Sequence, residues 1–270
     1  MARRTGYAPL PGAGPSLYYE DHGSGEPLVL LHGGLGAGEM YEPLLRALTA
    51  HRRVIVADLQ GHGRTPDVPG RPLRPELLAD DVAALLHHLG VGQADVLGYS
   101  LGGMAALWTA VRHPALVRRL VLVSIPYRHD GWHPEVLAGF QVLSEAAAEP
   151  MRQSPQYELY ARLAPRPGDW PALVAKCGEL MRRPYDWSAE IRALTSPTLL
   201  VYGDTDSIRP AHMVEFYALL GGGLSDPGPS GPPPAADGPR HRLAILPSAT
   251  HYDILSSPSL PPALIPFLYF

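Results

Sequence analysis

Short apolar runs rich in Val, Leu and Ile recur along this chain, with segments of helical periodicity between them. That alternation most limits how the chain can fold. Residues 28–31, 54–57, 95–98, 120–124, 198–202 and 242–246 read as buried strands. Helical spacing follows at 41–50, 75–89 and 101–111. In the second of these, Leu77, Leu78, Val82, Leu85, Leu86 and Leu89 recur at helical spacing, Pro75 suits a first turn, and Gly90 suits a left-handed residue just past the end. Strand, helix, strand, repeated, implies crossovers and a mostly parallel sheet covered on both faces, an α/β fold. Residues 16–20 are expected to add an early antiparallel strand. With 270 residues, 46% of them apolar, the chain can close a large core.

Two segments interrupt the pattern. Residues 126–192 contain no convincing strand, hold Trp132, Trp170 and Trp187, and show helical stretches near 134–148 and 170–182. They read as a helical insertion, which leaves 1–125 and 193–270 as the core. Its aromatic residues, Trp132 and Tyr157 among them, are expected to set the size of what the site accepts more than they set stability. Residues 221–240 carry six glycines and six prolines and read as a surface loop before the last strand.

Composition excludes several classes. The single cysteine, Cys177, cannot form an internal disulfide, so a disulfide scaffold is ruled out. A formal charge of −4 without a basic run argues against nucleic acid. No stretch reaches the 18 or so apolar residues of a membrane span, and Arg3 and Arg4 are not followed by the apolar core of a signal peptide. A soluble cytoplasmic protein, away from membranes, is expected. Among 22 basic residues only Lys176 is lysine, which base composition of the genome explains. No Cys/His cluster or His-Glu-x-x-His spacing indicates a metal, and no Gly-x-Gly-x-x-Gly run opens a helix, so no cofactor is expected. Oligomeric state is not legible.

The chemistry concentrates in three loops. Gly98-Tyr99-Ser100-Leu101-Gly102 joins an expected strand to an expected helix. A serine at so sharp a turn is held in strained backbone with its hydroxyl turned away from the sheet, beside a helix N-terminus that favours negative charge. Flanking glycines avoid collision with the neighbouring strand and helix. A serine hydroxyl needs a base, and the base needs an orienting acid. The strand at 198–202 runs into Gly203-Asp204-Thr205-Asp206, and the strand at 242–246 is followed by a loop reaching His251. Both loops would lie at the carboxyl ends of parallel strands, where such sheets bind ligands. Asp204 and Asp206 compete for the acid; the alternative to Asp206 has Asp204 as the acid and Asp206 as the cap of the helix starting near Arg209.

With Leu31-His32-Gly33-Gly34 and Asp58-Leu59-Gln60-Gly61-His62-Gly63-Arg64-Thr65 added to these loops, the chain resembles the α/β-hydrolase-fold family from about residue 17 to 267. The resemblance implies Ser100 as nucleophile, His251 as base and Asp206, three residues after Gly203, as acid. It also implies the backbone N–H groups of Gly34 and Leu101 as an oxyanion hole, and 126–192 as the helical cap. Epoxide hydrolases and haloalkane dehalogenases of similar layout carry Asp at the elbow, and Ser100 argues against both. His32 reads as a loop-ordering residue, and Asp58 to Arg64 as a loop fixed by turns and a charged pair. The stretch 221–240 is longer than the usual connection.

The expected activity is cofactor-free hydrolysis of a small-molecule carboxylic ester or lactone through an acyl-enzyme. Amide or carbon–carbon bond hydrolysis, perhydrolysis, acyl transfer, and ligand binding without turnover are the rival readings.

Overall fold

The computed structural model describes residues 3–10, 12, 14, 16–224 and 240–269. In these, eight strands form one sheet: β1 (Arg4–Ala8), β2 (Leu17–Gly23), β3 (Glu26–Leu31), β4 (Arg52–Ala57), β5 (Ala94–Tyr99), β6 (Val117–Val123), β7 (Thr198–Thr205) and β8 (His241–Thr250). Their spatial order is β1-β2-β4-β3-β5-β6-β7-β8. From β4 to β8 every neighbouring pair is parallel, while β2 runs antiparallel to β4 and to β1. The early antiparallel strand is therefore present, and β1 extends it by a strand the sequence did not suggest.

The central strands read as unbroken apolar runs because both their faces are buried. Along β3, Val29 and Leu31 face one side of the sheet and Leu28 and Leu30 the other, all without solvent exposure. The first face packs against α2 (Pro75–His88) through Leu78, Val82, Leu85 and Leu86, and against α3 (Leu101–Arg112) through Met104 and Leu107. The opposite face packs against α1 (Glu42–Leu48) through Leu44 and Leu48, and against the last helix, Leu260–Leu268, through Leu260, Leu264 and Phe267. Gly90 ends α2 with φ +65, the left-handed conformation expected of it.

Between β6 and β7 lie four helices: α4 (Pro134–Val142), α5 (Pro155–Leu163), α6 (Trp170–Arg182) and α7 (Ser188–Arg192). The expected helix at 134–148 stops at Val142 and continues as a short 3-10 turn, Glu145–Ala147. The cause is tertiary. Leu143 turns extended, its carbonyl lies so close to α6 that a Cβ on Gly178 would come within 2.0 Å of it, and the Arg182 guanidinium bonds the carbonyls of Phe140 and Leu143. α5 was not foreseen, although its start is conventional: Pro155 takes the first position and the Ser154 hydroxyl accepts the Tyr157 N–H. Trp170 is fully buried at the centre of this segment, donating to Ala148 O at 3.0 Å with Tyr157 and Tyr160 edge-on or tilted against it.

After β7, α8 (Pro210–Leu219) starts where expected, and α9 (Leu260–Leu268) closes the chain. Residues 225–239 of the expected surface loop lie outside the described residues; 221–224 leave α8 without regular structure. Among the described residues no helix is long and apolar enough to cross a membrane.

Candidate active site

Three strand ends assemble the site. Ser100 sits between β5 and α3 with φ +51 and ψ −118, a conformation few side chains tolerate. It is gripped on both sides: its N–H donates to Val123 O at 2.9 Å and its carbonyl accepts Met104 N–H at 3.1 Å. The turn is tight enough that a Cβ on Gly98 would meet Gly102 O at 2.1 Å, and one on Gly102 would meet Leu31 O at 2.1 Å. The glycines of this loop are thus required by close approach, as the sequence implied.

The other two loops pack on each other. A Cβ on Gly203 would lie 2.1 Å from Ala249 O, so the absence of a side chain there lets the segment bearing Asp206 meet the segment bearing His251. His251 Nδ1 donates to Asp206 Oδ1 at 3.1 Å, which leaves the Nε2 lone pair facing Ser100, whose hydroxyl donates to it at 3.2 Å. The structure therefore brings Ser100, His251 and Asp206 into one chain of hydrogen bonds.

Asp204 points elsewhere. It is exposed, and its carboxylate accepts the N–H groups of Ser248 and Ala249 at 2.9 and 3.2 Å, pinning the loop that leads to His251. Asp206 is buried, which pushes its carboxyl up, but bonds from His251, Ser124 and the Gly203 N–H outweigh burial and hold it below the usual carboxylate range.

Two neighbours of the site were not singled out from sequence. Ser124, at the end of β6 with φ +55, donates its hydroxyl to Asp206 Oδ2 at 2.6 Å. Tyr99, inside the elbow, donates its hydroxyl to His251 O at 2.7 Å. The signal available for Ser124 was positional: a serine directly after an apolar strand, on the same edge of the sheet as the other loops.

The cavity above Ser100 measures about 450 Å³. Gly34 and Leu101 line it together; a Cβ on Gly34 would sit 3.8 Å from Leu101 Cβ. Val136 and Phe140 of α4, Leu159 of α5 and Leu180 of α6 also line it, and Trp132 packs edge-on to His251 with ring centres 5.7 Å apart. Tyr157 departs from expectation. It does not line the cavity but packs on Trp170 and bonds Arg152.

Behind Gly33, His32 donates from Nδ1 to Gly33 O at 2.7 Å and accepts Leu59 N–H on Nε2 at 2.9 Å. This is the loop-ordering role its position suggested. Asp58 accepts the N–H groups of Gly38 and Arg64 and lies 3.6 Å from the Arg64 guanidinium. His62, tilted against His32, turns its Nε2 to the Cys177 thiol at 3.8 Å. Burial lowers His32 to about 4 and His62 to about 3, and pushes the Cys177 thiol up to about 12, so all three are neutral near pH 7. Among the described residues no group of three or more His, Cys, Asp or Glu is placed to hold a metal ion.

A family model described as alpha/beta hydrolase fold matches residues 26–146. The chain is 31% identical over 216 residues to a 2-hydroxymuconate semialdehyde hydrolase of Pseudomonas sp. strain CF600, across 73% of this chain and 76% of that protein. It is 33% identical over 221 residues to a pimeloyl-[acyl-carrier protein] methyl ester esterase of Aeromonas hydrophila, across 72% and 83%. The solved enol-lactonase of Burkholderia xenovorans LB400 superposes with a TM-score of 0.72 at 21% identity, over 98% of this chain and 100% of that one, which shows a shared fold.

Proposed function

Since the chain belongs to the alpha/beta hydrolase fold family, we propose that it is a serine hydrolase that cleaves a carboxylic ester or lactone through a Ser100-His251-Asp206 triad. The observation that carries this reading is the unbroken hydrogen-bond chain from Ser100 Oγ through both ring nitrogens of His251 to Asp206 Oδ1. Similarity to a methyl ester esterase supports the ester class.

The geometry supports these steps. Ser100 Oγ attacks the carbonyl carbon as its proton passes to His251 Nε2. The carbonyl π electrons move onto oxygen, and the Gly34 and Leu101 N–H groups receive the resulting anion at the start of α3. The carbonyl re-forms, the bond to the leaving oxygen breaks, and His251 returns the proton to that oxygen. Water then attacks the acyl-enzyme, giving its proton to His251; the acyl–Ser100 Oγ bond breaks as His251 Nε2 returns that proton to Oγ, and the acid is released. Asp206 keeps the ring in the tautomer that leaves Nε2 free and stabilises the imidazolium. The helical segment 126–192 acts as the cap that shields these charges from water.

The test is labelling with a fluorophosphonate probe alongside a panel of activated esters, lactones and amides. Labelling of the native protein, loss of label in Ser100→Ala, and turnover of esters or lactones above amides are expected. Ester turnover in Ser100→Ala above about a tenth of the native rate would overturn the assignment.

A further inference from the structure

The charge distribution around the cavity, given the ester-hydrolase reading on which this inference rests, narrows the substrate. We propose that the site selects an uncharged ester with an apolar body and rejects esters that carry a carboxylate on the part entering the cavity. Among the described residues lining the cavity none is Asp, Glu, Lys or Arg. Its walls are side chains such as Met40, Val136, Phe140 and Leu180. Apart from Ser100 and His251, the polar side chains on its lining carry no formal charge; they include the Gln156 amide, the Tyr252 hydroxyl, the Ser207 hydroxyl, which has no hydrogen-bond partner among the described residues, and the Cys177 thiol beside His62.

Cations do stand next to lining residues in the chain, but each is engaged. Arg182, beside Met181, bonds the carbonyls of Phe140 and Leu143, and Arg152, beside Met151, bonds the Glu149 carboxylate and the Tyr157 hydroxyl. Lys176, beside Cys177, uses all three of its donors on Asp67 Oδ1, Asp67 Oδ2 and Val68 O. The fixed charge at the floor of the site is the buried carboxylate of Asp206, behind His251. A substrate carboxylate would therefore lose its hydration, gain no counter-ion and face a like charge. An alkyl chain of the same length would lose nothing and bury apolar surface.

The experiment compares kcat/KM of the native protein on p-nitrophenyl heptanoate and on p-nitrophenyl hydrogen adipate, near-equal in length but ending in a methyl and a carboxylate. A preference for the heptanoate of about 10²-fold is expected, because burying an unpaired charge is costlier than losing an apolar contact. A ratio below about tenfold, or reversed, overturns the proposal. In a second arm Val136→Arg places a guanidinium on the half-buried α4 wall, and should shift the ratio toward the adipate by at least about tenfold. An unchanged ratio in a folded variant counts against it, and if that variant does not fold the native ratio still decides. Ser100→Ala separates the two readings. Turnover of both esters that vanishes in this variant, without the preference, sinks the selectivity alone; no turnover of either ester by the native protein sinks the hydrolase reading and this proposal with it.

Discussion

The Ser124 hydroxyl donates to Asp206 Oδ2 at 2.6 Å, while the other oxygen of the same carboxylate faces His251. Ser124 is fully buried and held at φ +55, so strained backbone directly after β6 keeps the Asp206 carboxylate of the loop after β7 in place. Under the proposed triad mechanism it is a positioning residue. Ser124→Ala removes one of the bonds that keep Asp206 ionised and oriented. We expect kcat to fall about tenfold with KM little changed, and the acid limb of the pH–rate profile to move. Steady-state kinetics across pH would show it; an unmoved profile and unchanged kcat would leave Ser124 a packing residue.

The two candidate acids should separate cleanly. Asp206 meets the imidazole, whereas Asp204 meets backbone N–H groups of the loop that carries His251. Asp206→Asn should lower kcat by about 10²–10⁴, because the amide favours the wrong tautomer. Asp204→Asn should cost less than about tenfold, through a looser loop. Both variants are compared on one activated ester, with melting curves as the folding control. A crippled Asp204→Asn beside a near-native Asp206→Asn would reverse the assignment.

Lys176 is the chain's only lysine, and its three donors reach Asp67 Oδ1 at 2.8 Å, Asp67 Oδ2 at 2.6 Å and Val68 O at 2.9 Å, tying α6 to the loop after β4. The tripod accounts for a lysine here, since a planar guanidinium cannot place three donors around one point. Lys176→Met leaves the mostly buried Asp67 carboxylate without its counter-charge, with the Gln60 amide still donating to it, and should cost about 2–3 kcal/mol. Lys176→Arg should cost about 1 kcal/mol. Urea denaturation tests both, and no loss in the methionine variant would show the pair to be solvated.

His32 and His62 make the fold acid-sensitive. Their folded pKa values, about 4 and about 3, lie below the ordinary 6.5. Between those values the unfolded chain binds more protons than the native one, so stability rises with pH across this window. The contribution is fully present above pH 6.5 and is lost as pH falls toward 4. Each histidine adds a slope of about 1.4 kcal/mol per pH unit. Unfolding free energies measured from pH 7 to 5 should show the decline, with a shallower slope in His62→Gln. An identical slope in that variant would contradict the buried neutral ring.

Much of this was legible in the sequence because it is local. A short unbroken apolar run such as 28–31, followed closely by Gly33 and Gly34, reads as a strand buried on both faces, and the spacing of Leu78, Val82, Leu85 and Leu86 puts them on one side of a helix. The tight turn at Gly98–Gly102 and the order of serine, acid and histidine are likewise properties of the chain, so Ser100, His251 and a choice between Asp204 and Asp206 could be read from it, and the resemblance to the family singled out Asp206. Where Asp204 and Asp206 point is not local. Two carboxylates one residue apart differ by the direction of a turn, and the contact between Gly203 and Ala249 sets that direction. Ser124 bonds a residue 82 positions away, the break at Leu143 comes from Gly178 and Arg182 on another helix, and Tyr157 leaves the cavity because Trp170 gives it a packing surface. Sequence alone determined the central strands, the helices that cover them and the chemical types at the strand ends, but not β1 or α5, because backbone propensity and hydrophobic period act over a few residues. Only the tertiary structure decided which carboxylate meets the imidazole and which side chains wall the cavity, because those choices rest on contacts between segments whose separation along the chain carries no signal.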